Sequence, residues 1–167
     1  MQRGYKKFFI TGFSGAGKST LLQELTQFPE LADFRLLDLD EVIRKNDAKA
    51  NESLGEFIER VGMERFRSIE KSLLQEFAKT EESLVLALGG GALEKGNQQI
   101  LGDFKGFFLD TDFETCWKRI EGDSNRPMTK LGKKVLSEVY HERLKSYKAY
   151  QKIQSAIEVL DFIREHR

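Results

Sequence analysis

An eight-residue string, Gly12-Phe13-Ser14-Gly15-Ala16-Gly17-Lys18-Ser19, constrains the fold of this chain more than any other feature. It matches the pattern G-x-x-x-x-G-K-[S/T], and Thr20 follows it. Chance yields such a match in roughly one chain of this length in a couple of hundred, and the flanks lower that further. Residues 7–11 read as a buried strand entering a tight turn. Leu21, Leu22, Leu25 and Phe28 recur at helical spacing until Pro29 stops them. Between a strand and a helix the string has a physical meaning. Its glycines let backbone N–H groups close around phosphate oxygens, and the helix N-terminus adds partial positive charge. It therefore predicts a nucleotide-binding loop of Gly12, Ser14, Gly15, Ala16, Gly17, Lys18, Ser19 and Thr20. Lys18 is expected to reach the β and γ phosphates of ATP, and Ser19 to hold Mg²⁺ through its hydroxyl.

Further strands are predicted over 34–40, 83–88 and 106–110, with a loop over 45–53. The run at 83–88 is apolar on both faces, as a central parallel strand should be. Two helical patterns, Leu54, Phe57, Ile58 and Val61, then Phe66, Ile69, Leu73, Leu74 and Phe77, break at Gly62. Residues 122–132 are polar and carry Asn125-Arg126-Pro127, where pre-proline geometry disfavours helix, so a mobile loop is expected there. The tail is open. Ile153, Ile157, Leu160 and Ile163 fit a helix, while 156–160 fit a short last strand with a helical fragment behind it. Alternating strands and helices predict an α/β domain of the P-loop NTPase fold, a parallel sheet flanked by helices, with 1–167 as a single domain.

Charge narrows the partners. Lys plus Arg and Asp plus Glu both total 27, so the general basic excess that nucleic-acid backbones demand is absent. Residues 117–152 nevertheless hold ten basic side chains against four acidic ones, which suits either a docked anion or a solvated helical face. Cys116 is the only cysteine, which excludes an intrachain disulfide and a Cys-based zinc site. No leader or membrane-length apolar run is visible, so a cytoplasmic protein without a membrane partner is expected. Nothing demands a protein partner, and a monomer is expected.

A GTPase should carry Asn/Thr-Lys-x-Asp, and the nearest string, Thr129-Lys130-Leu131-Gly132, lacks the aspartate. A motor ATPase needs a Walker B strand with a polarised water, of which 107–110 supply only the beginning. A small-molecule kinase needs substrate-orienting groups and a basic lid. Asp38 and Asp40, two apart at a strand end, are expected to face the edge where ligands bind in open α/β sheets. Asp40 is a candidate proton acceptor and Asp38 a candidate Mg²⁺ partner through water. Asp40 as a helix cap is the alternative, and the two roles are compatible.

The chain resembles the shikimate kinase family in an ordered set of places over roughly 5–150. Gly12 to Thr20 match its Walker A loop, Asp38-Leu39-Asp40 its Asp-x-Asp, and Phe66-Arg67 with Glu70 its Phe-Arg-x-x-Glu. Gly89-Gly90-Gly91 match its triple glycine, Asn125-Arg126-Pro127 its lid, and Arg143 with Tyr147 its late Arg-x-x-x-Tyr. The resemblance implies phosphoryl transfer from Mg-ATP to the 3-hydroxyl of shikimate, within aromatic amino-acid biosynthesis. It implies that Arg67 and Arg143 clamp the substrate carboxylate, that Glu70 holds Arg67, and that Gly89, Gly90 and Gly91 let the backbone approach the ring. Asp40 is implied to bind the ring hydroxyls and to orient or deprotonate the attacking one, Arg126 to act from a lid over about 122–132, and Arg119 to lie near the adenine. Residues about 41–80 are implied to be the substrate-binding helices.

The chain departs from the family pattern at Arg44, Met63, Met128-Thr129 and Lys145. About a dozen residues follow Ser155, where the family usually has an adenine-contacting loop and a closing helix, so a weaker or less selective adenine grip is expected. A kinase of another hydroxy acid such as gluconate, and a non-catalytic nucleotide-binding paralogue, are the competing readings.

Overall fold

The computed structural model describes residues 5–94, 96–123 and 125–166. Five strands form one parallel sheet in the order β2-β3-β1-β4-β5: β1 Lys7–Thr11, β2 Arg35–Asp38, β3 Leu84–Ala87, β4 Lys105–Leu109 and β5 Gln151–Ile153. Phe9 sits opposite Leu86 on one side and Gly106 on the other. The apolar runs in β1, β3 and β4 lack alternation because helices cover both faces of the sheet. Phe8, Phe9, Ile10, Val85, Leu86 and Phe107 are all but inaccessible, and each such burial contributes roughly 1.5–3 kcal/mol. β3 is an interior strand paired on both sides, as its apolar run predicted, and β1 stands in the middle of the order. The chain places β2 and β3 on one side of β1 and β4 and β5 on the other, which opens a crevice at its C-terminal end.

Among the described residues, eight α-helices surround the sheet: α1 Lys18–Leu25, α2 Leu39–Asp47, α3 Leu54–Val61, α4 Met63–Lys79, α5 Asn97–Ile100, α6 Phe113–Ile120, α7 Lys133–Tyr147 and α8 Ala156–Glu165. Short 3-10 turns occupy Pro29–Leu31 and Pro127–Leu131. Local chemistry explains where the helices begin. Ser53 and Glu56 form a capping box on α3, and Asp112 accepts from the Thr115 amide to cap α6. Phe108 stacks on Tyr147 at 5.3 Å and Phe9 meets Tyr150 edge-on at 4.9 Å, which ties the end of α7 to the sheet.

Three regions differ from the sequence reading by more than one residue. The strand predicted over 34–40 ends at Asp38, because the Asp38 side chain accepts from the amides of Asp40 and Glu41 and starts α2. Asp38, not Asp40, is therefore the cap, and Asp40 lies in the first helical turn. The loop predicted over 45–53 begins later, since α2 continues to Asp47. In the tail the helical reading holds for Ile157, Leu160 and Ile163, which lie in α8, and the strand expected over 156–160 is overturned, since the last strand lies earlier, at Gln151–Ile153. Among the described residues, no helix is long and apolar enough to cross a membrane.

Candidate active site

The loop between β1 and α1 wraps back on its own lysine. Lys18 Nζ donates to the carbonyls of Gly12 at 2.6 Å and Phe13 at 2.8 Å, and the Ala16 amide closes the turn onto Phe13 O at 3.0 Å. Gly17 stands at φ 104°, a conformation that costs a side-chain-bearing residue about 1 kcal/mol or more. Burial lowers the Lys18 ammonium to about 8, with Asp40 opposing that shift, so it remains a cation at neutral pH. Arg119, on α6, donates to Gly15 O at 3.0 Å. Arg126 donates to Ser14 Oγ and, through Nε, to Asp123 Oδ2 at 3.1 Å. These groups edge a cavity of about 960 Å³ whose far wall includes Gln154 and Ser155, a volume that suits a nucleotide.

Ser19 Oγ donates to Asp38 Oδ2 at 2.6 Å, while Asp38 Oδ1 accepts from the Asp40 amide at 3.1 Å. One carboxylate thus caps α2 and orients the Ser19 hydroxyl. Among the described residues, no group of three or more His, Cys, Asp or Glu is arranged to hold a metal. Mg²⁺ bound with triphosphate does not need one, because it takes one or two protein oxygens and completes its shell with phosphate and water. The Ser19 and Asp38 pair fits that donor set.

Asp40 Oδ1 is buried with no hydrogen-bond partner. Burial raises its carboxyl above the usual range and Asp38 adds to the rise, whereas Lys18, Arg67 and Arg126 oppose it. A buried carboxylate oxygen without a donor invites one from a ligand. It faces Gly89, where a Cβ would lie 2.8 Å from it.

The three glycines after β3 form a floor for two guanidinium groups. A Cβ on Gly91 would lie 2.7 Å from Arg143 Nη2 and closer still to Arg67 Nη2, so any side chain there displaces both arginines. Arg67 stands on α4 and donates through Nη1 to both oxygens of Glu70, at 2.9 and 3.1 Å. Glu70 is fully buried, and burial lifts its carboxyl to about 7 against the pull of Arg67. Arg143, on α7, donates through Nε to Glu94 Oε1 at 3.2 Å. Tyr147, one turn further on, donates to Gly90 O and pins the glycine turn. The arginines, Asp40 and the glycines enclose a cavity of about 110 Å³ whose apolar walls include Phe66, Met63 and Met128. A second cavity, of about 200 Å³, shares Asp40, Gly89, Gly90 and Arg126 with it and continues to Lys18 and Ser19.

The structure brings every residue singled out from the sequence to this edge of the sheet. Thr20 and Ala16 join the nucleotide side, Gly12 supplies a carbonyl to Lys18, and the two arginines converge over Gly91. Glu94 carries no motif signal and went unread. Gln154 and Ser155, between β5 and α8, line the nucleotide cavity, and a helix, α8, follows them. The basic stretch at 117–152 divides. Lys130, Lys133, Lys145 and Lys152 pair with Glu59, Glu114, Glu142 and Asp110, as a solvated face does, while Arg119, Arg126 and Arg143 turn into the site.

A family model described as Shikimate kinase matches residues 14–160. A shikimate kinase of Persephonella marina is 31% identical over 144 residues, covering 85% of this chain and 84% of that protein. One of Staphylococcus haemolyticus is 34% identical over 151 residues, covering 87% and 83%. A solved structure, shikimate kinase from Acinetobacter baumannii in complex with shikimate, superposes with a TM-score of 0.81 at 26% identity, covering 98% of this chain and 95% of that one.

Proposed function

The chain belongs to the shikimate kinase family, and we propose that it transfers the γ-phosphoryl group of Mg-ATP to the 3-hydroxyl of shikimate, giving shikimate 3-phosphate and ADP within aromatic amino-acid biosynthesis. One observation supports a small hydroxy acid as acceptor: two guanidinium groups and a buried, unpartnered carboxylate oxygen converge on Gly89 to Gly91, beside the phosphate loop, and the family narrows it to shikimate.

The loop amides, Lys18 and the start of α1 hold the triphosphate. Ser19, and through water Asp38, would hold Mg²⁺, which would supply neutralisation of the triphosphate charge. Arg67 and Arg143 grip the substrate carboxylate, since planar guanidinium forks match a carboxylate in bidentate fashion. That grip places the acceptor hydroxyl against Asp40. As the oxygen bonds to the γ-phosphorus and the bond to the β-phosphate oxygen breaks, the hydroxyl proton passes to Asp40. Arg126 faces the charge that moves between them. Arg119 borders the nucleotide cavity beside the loop. Residues 41–80 serve as the substrate-binding segment and 122–132 as a lid, in a single domain acting as a cytoplasmic monomer.

A coupled ADP-release assay with Mg-ATP tests this, with shikimate, gluconate, quinate and no acceptor run in parallel. Shikimate-dependent release is expected. Nucleotide binding with no turnover on any acceptor overturns the reading in favour of a non-catalytic relative, and release confined to gluconate reassigns the acceptor. Within the clamp, Arg67→Ala and Arg143→Ala should weaken shikimate binding and spare ATP binding, measured by titration of each ligand.

A further inference from the structure

The two clamping arginines are not held alike. Arg67 rests on Glu70, an acid one helical turn away on the same helix, and keeps Nη2 for Gly91. Arg143 has no such neighbour on α7: the residues three and four positions away are Tyr140, Ser146, Val139 and Tyr147. Its acid comes from across the site. Glu94, three residues beyond Gly91, places Oε1 3.2 Å from Arg143 Nε, and among the described residues it is the carboxylate paired with this arginine.

The edge that Glu94 takes matters. A guanidinium is a rigid planar fork, so fixing Nε fixes where both Nη groups point. Here they point at the glycine floor, Nη1 towards Gly90 and Nη2 towards Gly91. The Tyr147 hydroxyl, one turn on along α7, is a neutral hydrogen-bonding neighbour of the guanidinium, and the other contacts of the fork are soft. Met128 Sδ lies 3.8 Å from Nη2, and the Phe13 ring centre lies 5.9 Å from Cζ. The Glu94 charge also opposes an incoming carboxylate, but Glu94 is 48% exposed and Arg143 only 10%. Solvent therefore screens the repulsion more than the contact at Nε, and the orienting role dominates.

We propose that Glu94 is a positioning residue for the substrate clamp: by holding the Nε edge of Arg143 it presents both Nη groups to the acceptor carboxylate before substrate arrives. The proposal rests on the shikimate kinase reading. It removes an ordering cost from substrate binding and leaves the reacting hydroxyl and the nucleotide untouched.

Steady-state kinetics of Glu94→Ala, Glu94→Gln, Arg143→Ala, the Glu94→Ala/Arg143→Ala double variant and Glu142→Ala test it. Glu142 faces the same cavity of about 280 Å³ on the outer side of Arg143 but pairs with Lys145, so it controls for loss of local charge. Glu94→Ala should raise KM for shikimate about threefold to tenfold, with kcat and KM for ATP within about twofold of wild type. Glu94→Gln, which retains an acceptor for Nε, should fall between. In the Arg143→Ala background the Glu94 change should add nothing. An unchanged or lowered KM in Glu94→Ala overturns the proposal, as does a full additional rise in the double variant or an equal rise in Glu142→Ala. A wild-type enzyme inactive on shikimate refutes the functional reading itself, whereas an active wild type with a normal Glu94→Ala refutes this inference alone.

Discussion

Replacing Gly91 by alanine strikes the clamp at its narrowest point. The added Cβ would lie 2.7 Å from Arg143 Nη2 and nearer to Arg67 Nη2, whereas ordinary contact begins at 3.4 Å. Arg143 must then withdraw by about 0.7 Å and Arg67 by about 1 Å. Both displaced atoms end long side chains, and Gly91 is not among the glycines with a left-handed φ, so the fold itself is little disturbed. Arg67 has nowhere easy to go, because it stays bonded to the buried Glu70. A misplacement of about 1 Å in groups that fix a substrate costs on the order of a hundredfold, or about 2.7 kcal/mol at 1.36 kcal/mol per decade. Gly91→Ala should therefore lower kcat/KM for shikimate about a hundredfold, mainly through KM, with KM for ATP unchanged and the thermal midpoint within a few degrees. Gly90→Ala should be milder, since its nearest neighbours would be at 3.2 Å. Steady-state kinetics in both substrates with a thermal melt provide the readout. A Gly91→Ala enzyme whose shikimate KM stays within about threefold of wild type, or whose ATP KM rises in step, refutes the reasoning.

Lys18→Ala, Asp40→Asn and Arg126→Ala should each lower turnover at least about a hundredfold with an intact fold by circular dichroism; an unchanged rate in Asp40→Asn removes it from the mechanism. Arg119→Ala should raise KM for ATP several-fold, about the effect of losing one charge-assisted contact, and leave KM for shikimate alone. Burial lifts Glu70 from 4.5 to about 7, so between those values the folded chain keeps a proton that the unfolded chain has lost. Its contribution to stability is then full below about pH 4.5 and declines as pH rises through 7. Glu70→Gln should flatten the thermal midpoint across that window, and the wild-type KM for shikimate should worsen below pH 7 as the ion pair with Arg67 loses its charge.

The parts of this molecule that were legible in sequence are those whose chemistry is local. The phosphate loop is a contiguous string with a strand before it and a helix after it, and Arg67 with Glu70 is a pair one turn apart on a single helix. The three inner strands announced themselves as short apolar runs. Boundaries depended on side chains that act on neighbouring backbone. Asp40 looked like the last residue of a strand, and only the acceptance of the Asp40 and Glu41 amides by Asp38 shows that the helix begins at Leu39. The tail was misjudged for a related reason. Gln151–Ile153 is a three-residue strand with one buried side chain, too short for a period, and it exists because β4 offers it an edge. Glu94 was invisible because its partner lies 49 positions away, and no spacing rule connects a glycine turn to the far helix.

The electrostatics of the two halves are coupled through residues that border both. Arg126 lines the nucleotide cavity and both acceptor cavities, and Lys18 lines the first and its neighbour. Their positive charges, with that of Arg67, restrain the proton affinity that burial gives to Asp40. A bound triphosphate draws on the same two cations, so the restraint from Lys18 and Arg126 weakens when the loop is filled. Asp40 then becomes a stronger proton acceptor when a phosphoryl donor is in place and a weaker one when it is not. On the proposed mechanism, a hydroxyl held there by Arg67 and Arg143 would be deprotonated most readily in the one state where its oxygen has a phosphorus to attack.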